Sequence, residues 1–349
     1  MKKFLKVLLC ILLVIVILAA ALIIWLSIAE YKPDPVLALD VNSSSEGKIL
    51  KKDEEISILS WNIGYAGLGK GSDFFMDGGK DVKSADKETM TGYLEGIDGF
   101  IGSAEPDLIM LQEVDTRSSR TYNINEAEYL SRGNFVHALN YSCPFVPYPM
   151  PPLGKIHSGL LTTAEYAIDS AERIALPCPF SWPMSTANLK RCLLVSHMPI
   201  EGSDRELVLV NLHLEAYDDG EGKLAQTKML REFIEKEYEK GNYVIAGGDF
   251  NQTFPGTLDV FPIVQDDYWV PGVLDSSFLP EGWEFTYDNS APTCRLLNQP
   301  YNRDDPATQH YVIDGFILSP NVQLNKVENI DLKFENSDHN PVMLNVTLK

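Results

Sequence analysis

The chain has 349 residues, 45% of them hydrophobic, enough for one large α/β domain or two smaller ones around a sizeable core. Acidic residues outnumber basic ones 49 to 29, a net charge of −20. That balance argues against a general nucleic-acid binder, which relies on cationic contacts to phosphates, and leaves at most a local basic groove; it suits an acidic soluble face or a site that collects cations.

Residues 1–29 differ in kind from the rest. Lys2, Lys3 and Lys6 precede a nearly unbroken apolar run over residues 7–29, long enough to cross a bilayer as one helix. Lysines on its amino-terminal side predict that this end stays in the cytoplasm and that the remainder faces outward at the cell membrane. Ser27, Ile28 and Ala29 also offer a cleavage site that would release a secreted protein, but the apolar run exceeds a usual signal core, so an uncleaved anchor is expected. Residues 30–54, rich in Pro, Ser, Asp and Lys, read as a tether, and a single domain is expected over residues 55–349.

Residues 56–63 alternate as a first strand and deliver Asn62 at its end. Residues 64–70 spell G-x-x-x-x-G-K, close to a nucleotide-binding loop. Gly71 stands where a Ser or Thr would hold magnesium, and no helix start follows. The stretch is therefore a loop beside the site, with Phe74, Phe75 and Met76 as substrate contacts or as core packing. Residues 89–103 have helical spacing. Residues 106–114 form a buried strand ending in Glu113, a carboxylate that is costly there unless paired or bound to a cation. The polar loop at 115–122 carries Arg117 and Arg120, which are solvated surface or clamps for a substrate phosphate.

Residues 135–156 read as an aromatic and proline-rich connection, after which His157 opens another strand. A hairpin is expected from 190–198 and 206–214, its second strand ending at His213. A charged amphipathic helix over 223–240 leads into residues 243–251, an apolar run closing in two glycines, Asp249, Phe250 and Asn251. Glycines allow sharp turns and close approach to a ligand. Ligands of open α/β sheets gather beyond the carboxyl ends of strands. Residues 311–318 read as a strand with Asp314 in its apolar interior; Asp338 and His339 precede a last strand at 342–348. Cys143, Cys178, Cys192 and Cys294 have no metal-ligand spacing and read as free thiols, with Cys10 inside the anchor.

Hard oxygen ligands suit magnesium, manganese or calcium, and Glu113 with Asp338, supported by Asn62, fits that pattern. Zinc would favour a denser histidine or cysteine set. Asp314 needs a partner, and His339 is the candidate, since a carboxylate fixes a catalytic histidine's tautomer and supports its charged form.

At Ser-Trp-Asn62-Ile, Leu-Gln-Glu113-Val, Asn-Leu-His213-Leu, Gly-Gly-Asp249-Phe-Asn251, Ile-Asp314-Gly and Ser-Asp338-His339-Asn-Pro-Val the chain resembles the endonuclease/exonuclease/phosphatase superfamily. That superfamily includes pancreatic-type deoxyribonucleases, apurinic endonucleases, inositol-polyphosphate phosphatases and neutral sphingomyelinases. The six pieces occur in the family's order and span residues 56–348. The resemblance implies a four-layer α/β sandwich of two packed mixed β-sheets flanked by helices, with a metal site at one edge. It also implies roles. Glu113 is the principal metal ligand, with Asn62 and Asp338 near the ion. Asp249 orients or deprotonates the attacking water, and Asn251 holds a phosphoryl oxygen. His339, paired with Asp314, stabilises the charged transition state, and His213 contacts the phosphate from the other side.

His213 makes the chain more similar to the deoxyribonuclease and sphingomyelinase branches than to apurinic endonucleases. Thr163-Ala-Glu-Tyr-Ala-Ile168 departs from sphingomyelinase-like members, lacking the basic residue they carry there. The expectation is thus a monomeric, membrane-anchored, magnesium-dependent (or manganese- or calcium-dependent) phosphoesterase for a lipid headgroup or small phosphate ester. A surface nuclease with the same chemistry is the alternative, and a non-catalytic tethered binding protein a third reading, disfavoured by six intact motifs.

Overall fold

The computed structural model describes residues 2–43, 46–82, 85–218 and 220–349. Met1 of the expected anchor, and Ser44 and Ser45 of the expected tether, lie outside them. The strands of the two main sheets are β1 (Val36–Leu39), β2 (Glu55–Asn62), β3 (Leu108–Asp115), β4 (Asn134–Val146), β5 (Gly154–Ala164), β6 (Ser170–Ala175) and β7 (Cys192–Pro199). They continue with β8 (Glu206–His213), β9 (Tyr243–Asp249), β10 (Glu284–Thr286), β11 (Asp314–Leu318), β12 (Val322–Asn329) and β13 (Val342–Leu348). Three longer helices accompany them: α1 (Lys2–Ile28), α2 (Lys87–Ala104) and α3 (Glu221–Glu239).

A seven-stranded sheet runs β1-β6-β7-β8-β9-β11-β10 and a six-stranded sheet β12-β13-β2-β3-β5-β4. Both are mixed: β8 lies parallel to β9, and β2 parallel to β3, among antiparallel neighbours. Alternation along the strands builds the layers. Ile58 of β2 and Leu209 and Ile245 of β8 and β9 enter one core between the sheets. Their neighbours Leu59 and Trp61 face Met90, Leu94, Ile97 and Ile101 of α2, spaced for one helical face. On the other side Val208, Val210, Val244 and Ala246 pack on Leu230 and Ile234 of α3. The result is helix, sheet, sheet, helix: the four-layer α/β sandwich expected from the sequence.

Helix α2 starts where Asp86 accepts a hydrogen bond from the Thr89 N–H and stops at Glu105, left-handed ahead of Pro106. Helix α1 is 27 residues long, with a mean hydropathy of 3.7 in its most apolar stretch. By length and composition it is able to cross a membrane.

Four local expectations need correction. Residues 36–39 of the expected tether are strand β1, paired antiparallel with β6. Bridges of Asn42 to Phe135, Lys48 to Tyr166 and Leu50 to Ile200 fasten further points of the same segment to the domain. Residues 134–146, read as part of a connection, are a 13-residue strand whose pairing with β5 slips at two points. Such slips absorb the residues that hid the alternation. Strand β11 begins at Asp314, while His310 and Tyr311 pair instead with Cys294 and Arg295. Asp314 therefore sits at a strand's first residue, not in an apolar interior. Finally, β6 and β12 were not anticipated. Strand β12 forms the edge of its sheet, and its exposed middle residues Gln323, Asn325 and Lys326 are polar around a single Leu324, which weakens the apolar signal.

Candidate active site

The two parallel strand pairs aim their carboxyl ends at one edge of the sandwich. Asn62 closes β2, His213 closes β8 and Asp249 closes β9. In register, Asp249 lies beside His213 on one side and Asp314 on the other. Glu113 occupies a bulge where β3 slips against β5, with φ of 56°. Asp338 and His339 come from the turn before β13, and an isolated bridge ties His339 to Cys294. The glycines before Asp249 are sterically required. A Cβ on Gly248, at φ of 139°, would meet the Leu212 carbonyl at 2.0 Å, and one on Gly247 would meet the Phe316 ring at 2.2 Å. Only this bare backbone lets β9 lie between β8 and β11.

A buried network joins these groups. The Asn62 amide nitrogen donates to Asp249 Oδ2 at 3.0 Å and Glu113 Oε1 at 3.3 Å, while its oxygen accepts from the Gly64 N–H at 3.0 Å. Asn62 thus positions two carboxylates through its nitrogen, and its oxygen accepts one backbone N–H. Asp249 Oδ1 accepts from the Asn251 N–H at 2.8 Å, and His213 Nε2 is 3.4 Å from Asp249 Oδ2. Asn251, left-handed at φ of 51°, donates its side-chain nitrogen to the Leu214 carbonyl. His339 Nδ1 lies 2.8 Å from Asp314 Oδ2, and its Nε2 lies 3.9 Å from Asp249 Oδ2. The Trp61 indole N–H donates to the His339 carbonyl at 2.8 Å, and Ser337 Oγ bridges the Asn62 carbonyl and Asp338 Oδ1.

The electrostatics sort the two histidines into different roles. Burial works against a charge on His339, but Asp314 outweighs it and holds the imidazole well above the usual histidine range. Burial, followed by Arg191 and His339, drives His213 well below that range, so it is neutral. Burial and then the neighbouring Asp314 push the Asp249 carboxyl up to about 7. Burial likewise raises Asp338, to about 6, with Glu113 adding to the rise against the opposing charge of His339.

Two sets of groups compete as a cation site. Ligand atoms of Asp249, Asp314 and His339 lie within 4.8 Å of one another. His339 and Asp314, however, already satisfy each other, and an ion there would break a charge-assisted bond. Glu113 and Asp338 face the same cavity and offer only hard oxygens, and the charge of Glu113 raises the cost of charging Asp338. That donor set fits a magnesium-type cation, which takes one or two carboxylates and keeps its waters.

The cavity holds about 320 Å³. Glu113, His213, Asp249, Asn251, Asp338 and His339 line it, so six of the expected residues converge, with Asn62 and Asp314 immediately behind them. The clamp reading of the two arginines fails. Arg120 reaches the lining, but its guanidinium forks onto Asp115 through two 2.9 Å bonds and stacks 3.5 Å over the Tyr65 ring. Arg117 is exposed and outside the lining. Arg120→Ala would leave Asp115 buried next to Glu126, whose carboxyl burial already raises far above normal. Stability is therefore expected to fall by roughly 3–5 kcal/mol, read by urea unfolding; an unchanged midpoint would return Arg120 to substrate binding.

Sequence reasoning gave Arg191 only as material for a basic groove and missed Arg295 and Asp77 among the lining groups. Arg191 bonds Glu215 Oε2 and the His213 carbonyl. Arg295 donates to the carbonyls of Gly69, Ser72 and Gln299. Asp77 accepts from the Tyr217 hydroxyl at 3.0 Å and from the Leu297 N–H. Asp77 lies in a short turn and Arg295 in a two-residue strand, each too short for a period to mark.

The Endonuclease/Exonuclease/phosphatase family model matches residues 59–339 of the chain. The protein belongs to the endonuclease/exonuclease/phosphatase family. None of the curated proteins matches it. In fold it is similar to an endonuclease/exonuclease/phosphatase from Beutenbergia cavernae, with 16% identity, a TM-score of 0.57, and 84% of this chain and 72% of that one covered. A functionally unknown conserved protein from Enterococcus faecalis aligns at 14% identity and a TM-score of 0.55, over 84% of this chain and all of that one. An endonuclease/exonuclease/phosphatase from Bacteroides vulgatus aligns at 16% identity and 0.53, over 85% and 100%. Endonuclease/exonuclease/phosphatase proteins are metal-dependent hydrolases of phosphate esters, and this chain is such an enzyme.

Proposed function

We propose that the protein is a membrane-anchored phosphoesterase that works outside the cytoplasm on a small phosphate ester, a lipid headgroup foremost. The observation that carries this reading is the cavity wall. Besides the acid and histidine cluster it carries the apolar Leu68, Phe74, Leu153, Phe180 and Trp269. Each arginine in the lining is already committed to a protein partner, Arg120 to Asp115, Arg191 to Glu215 and Arg295 to backbone carbonyls. A polyanion needs a track of free cations. A single phosphate attached to an apolar body does not.

Glu113 and Asp338 would hold the cation, magnesium foremost, with manganese or calcium as the alternatives. When bound, it neutralises phosphate charge and polarises the ester. Asp249, held by Asn62 and the Asn251 N–H, accepts a proton from the attacking water. Neutral His213 and Asn251 contact the phosphoryl oxygens, and the charged His339 meets negative charge as it develops. Lys2, Lys3 and Lys6 support a cytoplasmic amino terminus, placing the catalytic domain on the far side of the membrane.

The test is hydrolysis by the full chain in phospholipid vesicles with magnesium, using lipid phosphodiesters, a soluble bis-aryl phosphate and plasmid DNA. Turnover of the first two, abolished by chelation and by Glu113→Gln, is the expected result. Preferential cleavage of plasmid DNA would overturn the reading in favour of a surface nuclease.

A further inference from the structure

The end of α1 is fastened to the domain beside the cavity. Leu26 is buried in a cluster with Cys143, Val146 and Ile156, and Leu22, one turn earlier, packs on the same cluster. Ser27 Oγ accepts from the Trp182 indole N–H at 2.9 Å, and Glu30 pairs with Lys190 at 2.8 Å. The apolar run starts near Val7. At 1.5 Å per residue, a hydrocarbon core of about 30 Å is crossed in about 20 residues. The outer boundary of that core therefore falls at about Leu26, the residue buried against the domain. No spacer separates protein from bilayer.

Around this seat, where Trp182 meets Ser27, the domain exposes large apolar side chains. Tyr148 and Met150 project from the β4–β5 loop, and Trp182 and Met184 from the β6–β7 loop; Met150 is 80% exposed and Trp182 64%. Phe75 makes an edge contact with Tyr148 at 5.9 Å, which joins the Phe74, Phe75 and Met76 segment to this patch. The carbonyls of Thr186 and Ala187, just after Met184, accept from Cys143 and Tyr141 of β4, so the two loops adjoin. Exposed groups of this size on adjoining loops mark a surface that is covered in use. Met76 and Met184 are exposed and also line the catalytic cavity, so its mouth opens within the patch. Tyr141 and Leu153, packed on the cluster that holds Leu26, line the cavity as well.

We propose that this apolar collar dips into the same bilayer that α1 crosses, so that the active site opens onto the membrane and takes its phosphate ester from the leaflet beneath it. With a chain charge of −20, attraction to anionic headgroups is not what holds the collar down; burial of Tyr148, Met150, Trp182 and Met184 does so. The docking stands without the proposed chemistry, whereas the route of the substrate rests on it.

The experiment separates the two. The full chain carrying Trp25→Phe, which removes the tryptophan of α1, is reconstituted in phosphatidylcholine vesicles with acyl chains brominated near the headgroup. Tryptophan emission is expected to be quenched, and the quenching to disappear with Trp182→Phe and to weaken with Met150→Asp. Equal quenching with and without Trp182 overturns the docking. Met150→Asp, outside the cavity lining, is then expected to lower kcat/KM for a phosphate-ester lipid in the vesicle roughly tenfold, the partitioning lost with one buried apolar side chain. Its turnover of the soluble bis-aryl phosphate should be unchanged. Equal effects on both substrates, or none on either, overturn the substrate route. Failure of the wild-type chain to hydrolyse the soluble ester defeats the proposed chemistry instead, leaving the quenching result to decide the docking.

Discussion

His339→Ala is expected to lower turnover by about 10²- to 10³-fold, the loss seen when one preorganised donor to developing charge is removed. The imidazole is fixed from two sides: Asp314 holds Nδ1 at 2.8 Å, and the Trp61 indole N–H holds the backbone carbonyl. This leaves Nε2 turned towards Asp249, at 3.9 Å from its Oδ2, on the cavity side. Asp314 keeps the ring protonated against the opposing effect of burial. Asp314→Asn keeps the shape but withdraws the charge that supports the imidazolium, so it should lose most of the same activity while thermal unfolding shifts little. Near-wild-type turnover in either variant would remove His339 from the reaction. A large loss of melting temperature with His339→Ala would instead mark the pair as a structural ion pair.

Asp249→Asn is expected to reduce turnover by roughly a thousandfold, since it removes a proton acceptor and the partner of Asn62 and His213 together. Its pH signature distinguishes it from a packing effect. Burial and Asp314 push the folded carboxyl up to about 7, against about 3.9 in an unfolded chain. The folded state thus holds this proton more tightly than the unfolded state does. The stability gained from that proton is fully present below the unfolded value and is lost as pH rises through about 7. In metal-free protein, Asp249→Asn should therefore raise the melting temperature by a few degrees at pH 8 and give no gain near pH 4. The wild-type rate should climb with pH up to about 7, or to a lower value with a cation bound, because a cation favours the carboxylate. A flat rate profile combined with full activity of Asp249→Asn would exclude it as the base.

The largest effects fall on residues that the sequence marks individually, and the reason is local. Asn62, His213 and Asp249 each end an apolar strand run, and such an end is visible in one dimension because alternation fixes the strand and the polar residue closes it. Asp338 and His339 stand before a final strand of clear pattern. The apolar run of α1 and helices α2 and α3 are local features too, and periodicity suffices for them. The glycines at 247 and 248 announce a close approach without naming what approaches.

Tertiary structure alone decided the remainder. Arg117 and Arg120 look alike in sequence, yet the fold spends Arg120 on a buried Asp115 and leaves Arg117 in solvent, since only three-dimensional packing brings Asp115 and Tyr65 around one guanidinium. The bulge at Glu113, the amide orientation of Asn62 and the opposite charge states of His213 and His339 depend on neighbours 22 to 187 residues distant in the chain. Edge strands such as β12 carry a weak apolar code because one side meets water. The residues after α1 read as a free tether because sheet pairing of β1 uses backbone groups, which every residue except proline supplies alike. Sequence thus determined which side chains have the chemistry, through patterns a few residues long. Their shared cavity, their protonation and the seating of helix α1 on the domain came from long-range burial, which no short pattern encodes.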